Sequence, residues 1–226
     1  MKEALLMSVT FQDIQNSVEI RTYITQADAS LIALGFTEHS FAHVGRCADV
    51  AARILNELGY PAREVELARI AAFMHDIGNV VNRHDHAISG ATMAFRILDK
   101  MRMEPAEVAT VITAIGHHDD STAFPVNAVA AALILADKTD VRRSRVRNND
   151  VINFDIHDRV NYAVERSEVL LDTVSGTVTL SLTINTQVCA VMDYFEIFLQ
   201  RMVLCRKAAE FFHLQFHLEI NGQILL

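Results

Sequence analysis

The sequence predicts a mainly α-helical bundle that gives way near residue 148 to a small α+β unit of β-β-α-β order. Three observations carry this expectation. Apolar residues recur at three- and four-residue intervals through Val44, Cys47, Ala48, Ala51, Leu55 and Leu58, the spacing of a helix with one buried face. Thr177 to Ile184 instead alternates strictly between apolar and polar residues, the period of a strand buried on one side. The intervals between the helical segments are short, so these helices should pack as one compact bundle.

Taken in order, the helical pattern runs from about residue 10 to 147. The helix holding Val44 to Leu58 is closed by Gly59 and Pro61. A second is expected from Arg63 to Ile77, stopped by Gly78, and a third from about Ala87 to Met101. A fourth begins near Pro105, a residue suited to a helix's first turn, and a fifth covers Val126 to about Val146. Beyond that, Arg159 to Asp172 should pair with Thr177–Ile184 through a Ser175-Gly176 turn. A long helix follows from about Thr186 to Phe212, and the chain closes in an alternating strand with an Asn-Gly hairpin turn. These features divide the chain into a helical domain, 1–147, and an α+β appendage, 148–226. The strand face of Val178, Leu180, Leu182 and Ile184 needs cover, expected from Phe195, Phe198, Met202 and Phe211. Dimerisation or substrate selection is the expected role of the appendage.

Composition narrows the function classes. With 226 residues, 51% of them hydrophobic, the chain can bury a sizeable core. A net charge of -8 argues against general nucleic-acid binding, which needs surplus Lys and Arg to meet phosphates. No apolar run reaches the roughly twenty residues of a membrane span, and the first fifteen residues lack a signal peptide's continuous apolar segment. Cys47, Cys189 and Cys205 are an odd, unpaired set, as in a reducing cytoplasm.

The chemistry lies in histidines and aspartates. Seven of the ten histidines fall between residues 39 and 118. His75 and Asp76 end an apolar helix in AAFMHDIGN, where an uncompensated charge is costly; a divalent cation compensates it. Asp137 follows an apolar run in AALILADKTD and has the same need for a partner. His43 stands at the edge of an earlier helix's apolar stripe, and His86 opens a later helix. His117 and His118 close another, before Asp119 and Asp120. Helix ends that gather imidazoles and carboxylates are how bundles build metal sites.

In order, His43, His75-Asp76 and Asp137 resemble the H…HD…D pattern of HD-domain metal-dependent phosphohydrolases, over about residues 35 to 147. Two further elements resemble binuclear members: His86 to Ala91, similar to an H-x3-G element, and His117-His118-Asp119, similar to a paired-histidine element. The resemblance implies an HD-domain bundle and two divalent metals, with Asp76 bridging them and His86, His117 and His118 holding the second. Iron or manganese is preferred by that likeness, with zinc, cobalt, nickel or magnesium as alternatives. His84 competes with His86; Gly90, which allows close packing, favours His86. His39 is expected on the surface or behind the ligands.

No Ser or Cys nucleophile has a positioned base, so metal-activated water attacking phosphorus is the expected chemistry, with Asp76 catalytic and Asp119 or Asp120 assisting proton transfer. Lys138, Arg142 and Arg145 form a basic group expected to clamp phosphate, with Arg142 and Arg145 on one helical face; Arg46 is a weaker candidate. The segment HHDDSTAFP lacks the Gly-Tyr-Pro of HD-GYP phosphodiesterases, and no Glu-Asp follows the His-Asp doublet as in guanosine tetraphosphate hydrolases. HAISGA and LADKTDVRRSR are more similar to bacterial HD hydrolases of diadenosine tetraphosphate. A nucleotide or another small phosphate ester is the expected substrate. A nucleotide-binding regulatory module without turnover is the alternative.

Overall fold

The computed structural model describes residues 8–147 and 156–225; residues 1–7 and the junction expected at residue 148 lie outside them. The N-terminal part is a bundle of helices α1 (Phe11–Asn16), α2 (Val18–Ala33), α3 (Phe41–Glu57), α4 (Ala62–Met74), α5 (His86–Lys100), α6 (Pro105–Gly116) and α7 (Ala128–Lys138). Helix α7 explains the arrangement. Its residues Val129 to Ala136 are all buried, so it is apolar around its whole circumference and needs neighbours on every side. Helices α3, α4 and α6 supply them from within the bundle.

The remaining chain forms α8 (Ile156–Ala163), β1 (Val164–Asp172), β2 (Thr177–Ile184), α9 (Val191–Phe211), β3 (Gln215–Ile220) and β4 (Gln223–Ile224). The sheet order is β1-β2-β3-β4, antiparallel at both outer pairs and parallel between β2 and β3, which α9 connects. Asn221 and Gly222 both take positive φ, 52° and 80°, as the expected Asn-Gly hairpin requires. Helix α9 packs against β3 and also against α7, so it covers the sheet and closes the last side of the central helix. Phe198 and Met202 are buried within it, while Phe211 is exposed. The three cysteines are free and buried. Among the described residues, no helix is long and apolar enough to cross a membrane.

Several element boundaries differ from expectation; α9, for one, begins at Val191 rather than near Thr186. Helix α4 stops at Met74 rather than Ile77, and His75-Asp76 lead into a 3-10 turn, Ile77–Val80. The Asn79 side-chain amide drives this change by donating to the Asp76 carbonyl at 3.0 Å and to Asp76 Oδ1 at 2.8 Å. Helix α7 ends at Lys138, not near Val146, so Arg142 and Arg145 do not share a helical face. There the Thr139 hydroxyl donates back to the Leu135 carbonyl at 2.6 Å, and the chain turns away. The segment Arg159 to Ala163, expected as strand, is the end of α8, which buries Val160 and Ala163 at helical spacing.

Gly78 sets how closely the 3-10 turn approaches α5. A Cβ added there would lie 2.0 Å from the His86 carbonyl oxygen and 2.5 Å from the Gly90 nitrogen, both backbone atoms. Gly90 is tight in return, its Cβ position lying 3.2 Å from the His75 carbonyl. Gly78→Ala therefore destabilises the fold by roughly 1–3 kcal/mol or more, because backbone must shift. Denaturant unfolding checks this; wild-type stability in the variant would contradict the close approach.

Candidate metal centre

The ends of α3, α4, α5, α6 and α7 meet at one pole of the bundle. His43 occupies the third position of α3, whose N-terminus is capped by the Ser40 hydroxyl. The Glu38 carboxylate adds acceptors for the amides of Ser40 at 2.8 Å and His43 at 3.3 Å. His75 and Asp76 follow α4, His86 opens α5, His118 follows α6, and Asp137 lies in the last turn of α7. His43, His75, His86 and His118 are each no more than 2% exposed, and Asp76 is 5% exposed.

The hydrogen bonds at the outer edge of each ring fix its tautomer. His75 Nδ1 faces the Ala72 carbonyl at 2.7 Å, His86 Nδ1 the Arg83 carbonyl at 3.1 Å, and His118 Nδ1 the Ile115 carbonyl at 2.6 Å. A carbonyl only accepts, so each Nδ1 carries the proton. His43 Nδ1 faces Asp140 Oδ2 at 2.8 Å. Every Nε2 is thereby directed inward. They meet in two pairs, His43 with His75 at 3.3 Å and His86 with His118 at 3.1 Å.

Asp76 lies between the pairs. Its Oδ2 is 3.6 Å from His43 Nε2 and 3.3 Å from His75 Nε2. Its Oδ1 is 3.5 Å from His86 Nε2 and 4.0 Å from His118 Nε2. The ligand atoms of His43, His75 and Asp76 lie within 4.8 Å of one another, as do those of Asp76, His86 and His118. Asp137 joins the first group, with Oδ1 3.3 Å from His43 Nε2 and 3.8 Å from His75 Nε2.

The charge pattern suits a cation. Burial alone would raise the Asp76 carboxyl, yet the neighbouring His75 imidazole holds it well below the usual carboxylate range. Burial works against a charged His75, but Asp76 beside it raises that ring's basicity. Burial pushes His118 down to about 3, reinforced by the charge of His75, and lowers His86 as well. His86 Nε2 and His118 Nε2 thus meet as uncharged imidazole acceptors, with Arg83 Nη1 3.3 Å from the former. Asp76 Oδ2 is buried without a hydrogen-bond partner. Imidazole nitrogens and an orphaned carboxylate oxygen form a donor set for a borderline divalent metal, and these residues fit one.

The other expected site residues have different surroundings. His84 is exposed and pairs with Asp85, while His86 is in the cluster. His117 stays outside the groups described, its Nδ1 bonded to the Thr113 carbonyl at 2.9 Å. Consecutive residues at a helix end point in different directions, so His118 turns inward and His117 does not. Asp119 lies at the rim, with Oδ1 3.8 Å from His86 Nδ1 and Oδ2 accepting from the Ser121 hydroxyl at 2.5 Å. Lys138 is buried between Asp137 and Asp120, 2.7 Å from each. Arg142 bonds Asp140 at 2.8 Å and Glu38 at 3.1 Å. Carboxylates therefore occupy two of the three cations expected to clamp phosphate, Lys138 and Arg142. Arg145 is buried and donates to the carbonyls of Glu38 and Asp140, at 3.0 and 2.9 Å.

Asp140 was missed by the sequence reading. It is 1% exposed and accepts from His43, Arg142 and, at 3.1 Å, Arg46 Nε. Three residues after Asp137 on the same chain turn, it could have been found as the acid that orients a ligating histidine. Asp140→Asn, which keeps the shape but loses the charge, should weaken binding of Mn²⁺ or Zn²⁺ by roughly 10- to 100-fold. A competition titration with a chelating dye reads this, and undiminished affinity would remove Asp140 from the site.

The comparisons with known proteins add the family. The model of the HD domain matches residues 40–196, which include every member of the histidine–aspartate cluster and reach past the bundle into the start of α9. No curated protein matches the chain. The match spans more than half of the sequence and contains a cluster that fits a metal-binding HD site, so the chain belongs to the HD-domain family, whose members are generally metal-dependent hydrolases.

Proposed function

We propose that this protein is a binuclear metal-dependent phosphohydrolase that cleaves a phosphate ester or anhydride of a nucleotide or similar small molecule. The observation that carries the proposal is the pair of facing Nε2 couples on either side of Asp76, with one carboxylate oxygen toward each. His43, His75 and Asp137 with Asp76 would hold one cation; His86 and His118 with the other oxygen of Asp76 would hold the second. Bound there, divalent cations supply Lewis acidity toward a phosphoryl group and bring the pKa of a coordinated water near neutrality.

The chain's own residues account for the rest. The Nδ1 anchors on backbone carbonyls hold the rings still, which limits reorganisation during reaction. Lys138 fixes Asp137 through its second oxygen, Oδ2, leaving Oδ1 toward His43. Burial would raise Asp119, but the Ser121 hydrogen bond lowers it on balance. This rim carboxylate beside His86 is therefore suited to orienting a water or a proton-bearing group rather than to acting as a strong base. Asp120 is less suited to that task, being paired with both Lys138 and Arg201.

Protein purified without chelator, or reconstituted anaerobically with iron or manganese, should contain close to two metal equivalents and hydrolyse at least one member of a nucleotide and phosphate-ester panel. Asp76→Asn should lower turnover by roughly 10³-fold or more while the fold is kept. Failure to take up metal, or full turnover by Asp76→Asn, would overturn the proposal. Uptake of metal with ligand-induced stabilisation but no turnover would favour a regulatory binding module.

A further inference from the structure

A cleft of about 330 Å³ lies beside the metal centre, lined from the α2–α3 connection, the residues preceding α5, the turn after α7, and helices α8 and α9. Two of its lining residues adjoin the cluster directly, and a third is joined to it through Asp120 and Lys138. The His39 ring is 5.4 Å from the His43 ring. Arg83 Nη1 lies 3.3 Å from His86 Nε2. Arg201 Nε bonds Asp120 Oδ2 at 3.1 Å, and Asp120 in turn holds Lys138 beside Asp137. The volume is at the lower end of small-molecule sites.

The charge of this cleft is opposite to that of the chain. Arg83, Arg145 and Arg201 line it, against one carboxylate, Asp158, among the described lining residues. The whole chain carries a net charge of -8, so three arginines at one cleft are a local reversal. Two of them are held over aromatic rings, Arg83 at 5.6 Å from the Phe36 centroid and Arg201 at 4.9 Å from that of Phe198. Arg201 uses its Nε for Asp120, and Arg83 uses Nη1 for Asn79 and His86. Each fork thus keeps nitrogens that the described hydrogen bonds do not engage. Arg145 is anchored on two carbonyls, with the Asp140 carboxylate 3.9 Å away on its inner side.

We propose that this cleft is the substrate pocket and that it selects molecules carrying a chain of two or more phosphate groups, with Arg83 and Arg201 gripping the phosphates beyond the one at the metals. The proposal rests on the phosphohydrolase reading for the scissile group, but the arginine grip stands on its own geometry. Planar guanidinium forks meet phosphate oxygens in bidentate fashion, and from separate chain segments they span more than one group. Arg201 is then a specificity-determining residue supplied by α9, beyond the segment that matches the HD domain.

Calorimetric titration of metal-free protein with inorganic tripolyphosphate and with orthophosphate tests this. Tripolyphosphate should bind at least roughly tenfold more tightly than orthophosphate, and Arg201→Gln and Arg83→Gln should each reduce its affinity by a comparable factor. Arg201→Lys, which keeps the charge toward Asp120 but not the fork, should lose an intermediate amount and serves if Arg201→Gln fails to fold. Manganese uptake by both Arg201 variants should match wild type. Equal affinities for the two anions, or undiminished tripolyphosphate binding by the variants, would overturn the pocket assignment. Tripolyphosphate binding through Arg201 without any metal uptake would instead overturn the phosphohydrolase reading alone.

Discussion

Two pairs of imidazole nitrogens face each other around one buried carboxylate, and the architecture of the bundle is organised about that constraint. Nε2 atoms 3.1–3.3 Å apart, in a place that water scarcely reaches, are best accommodated by something positive between them. In this chain the arrangement is enforced from outside. Backbone carbonyls take the Nδ1 protons of His75, His86 and His118, and Asp140 faces that of His43. The rings cannot turn over without losing those bonds. A site held open in this manner is preorganised for cations.

The elements exist to deliver those ring positions. Helix α7 is apolar on every side and forms the axis on which α3, α4, α6 and α9 pack, and its last turn carries Asp137. The 3-10 turn after α4 lets Asp76 point back toward the cluster, and Gly78 and Gly90 allow α5 to approach until His86 reaches it. Around the cluster lies a ring of committed charges. Lys138 joins Asp137 and Asp120, Arg142 joins Asp140 and Glu38, and Arg46 braces Asp140. These pairs neutralise carboxylates that would otherwise be isolated in a low-dielectric setting.

Much of this was legible in the sequence because helical periodicity and the doublet His75-Asp76 are local signals. Helices α3 to α7, strand β2 and the Asn-Gly hairpin follow directly from spacing and turn chemistry. What escaped was non-local. The end of α7 at Lys138 depends on Thr139 turning its hydroxyl back to Leu135, which a run of helix-compatible residues conceals. The basic residues after Asp137 read as phosphate ligands because two of their partners, Glu38 and Asp120, lie outside that segment of the sequence. Arg201 has no motif around it and enters the site only because α9 folds back onto α7. Which member of the pair His117-His118 turns inward likewise required the actual end of α6.

The central claim is that these inward Nε2 atoms and Asp76 form a cation site. Anomalous diffraction from crystals grown with manganese, recorded on both sides of its absorption edge, tests it most directly. The account predicts two peaks flanking Asp76, each about 2.0–2.3 Å from histidine Nε2 atoms of one facing pair and from one Asp76 oxygen. Crystals that show the rings in the same positions but no anomalous density between them would contradict it.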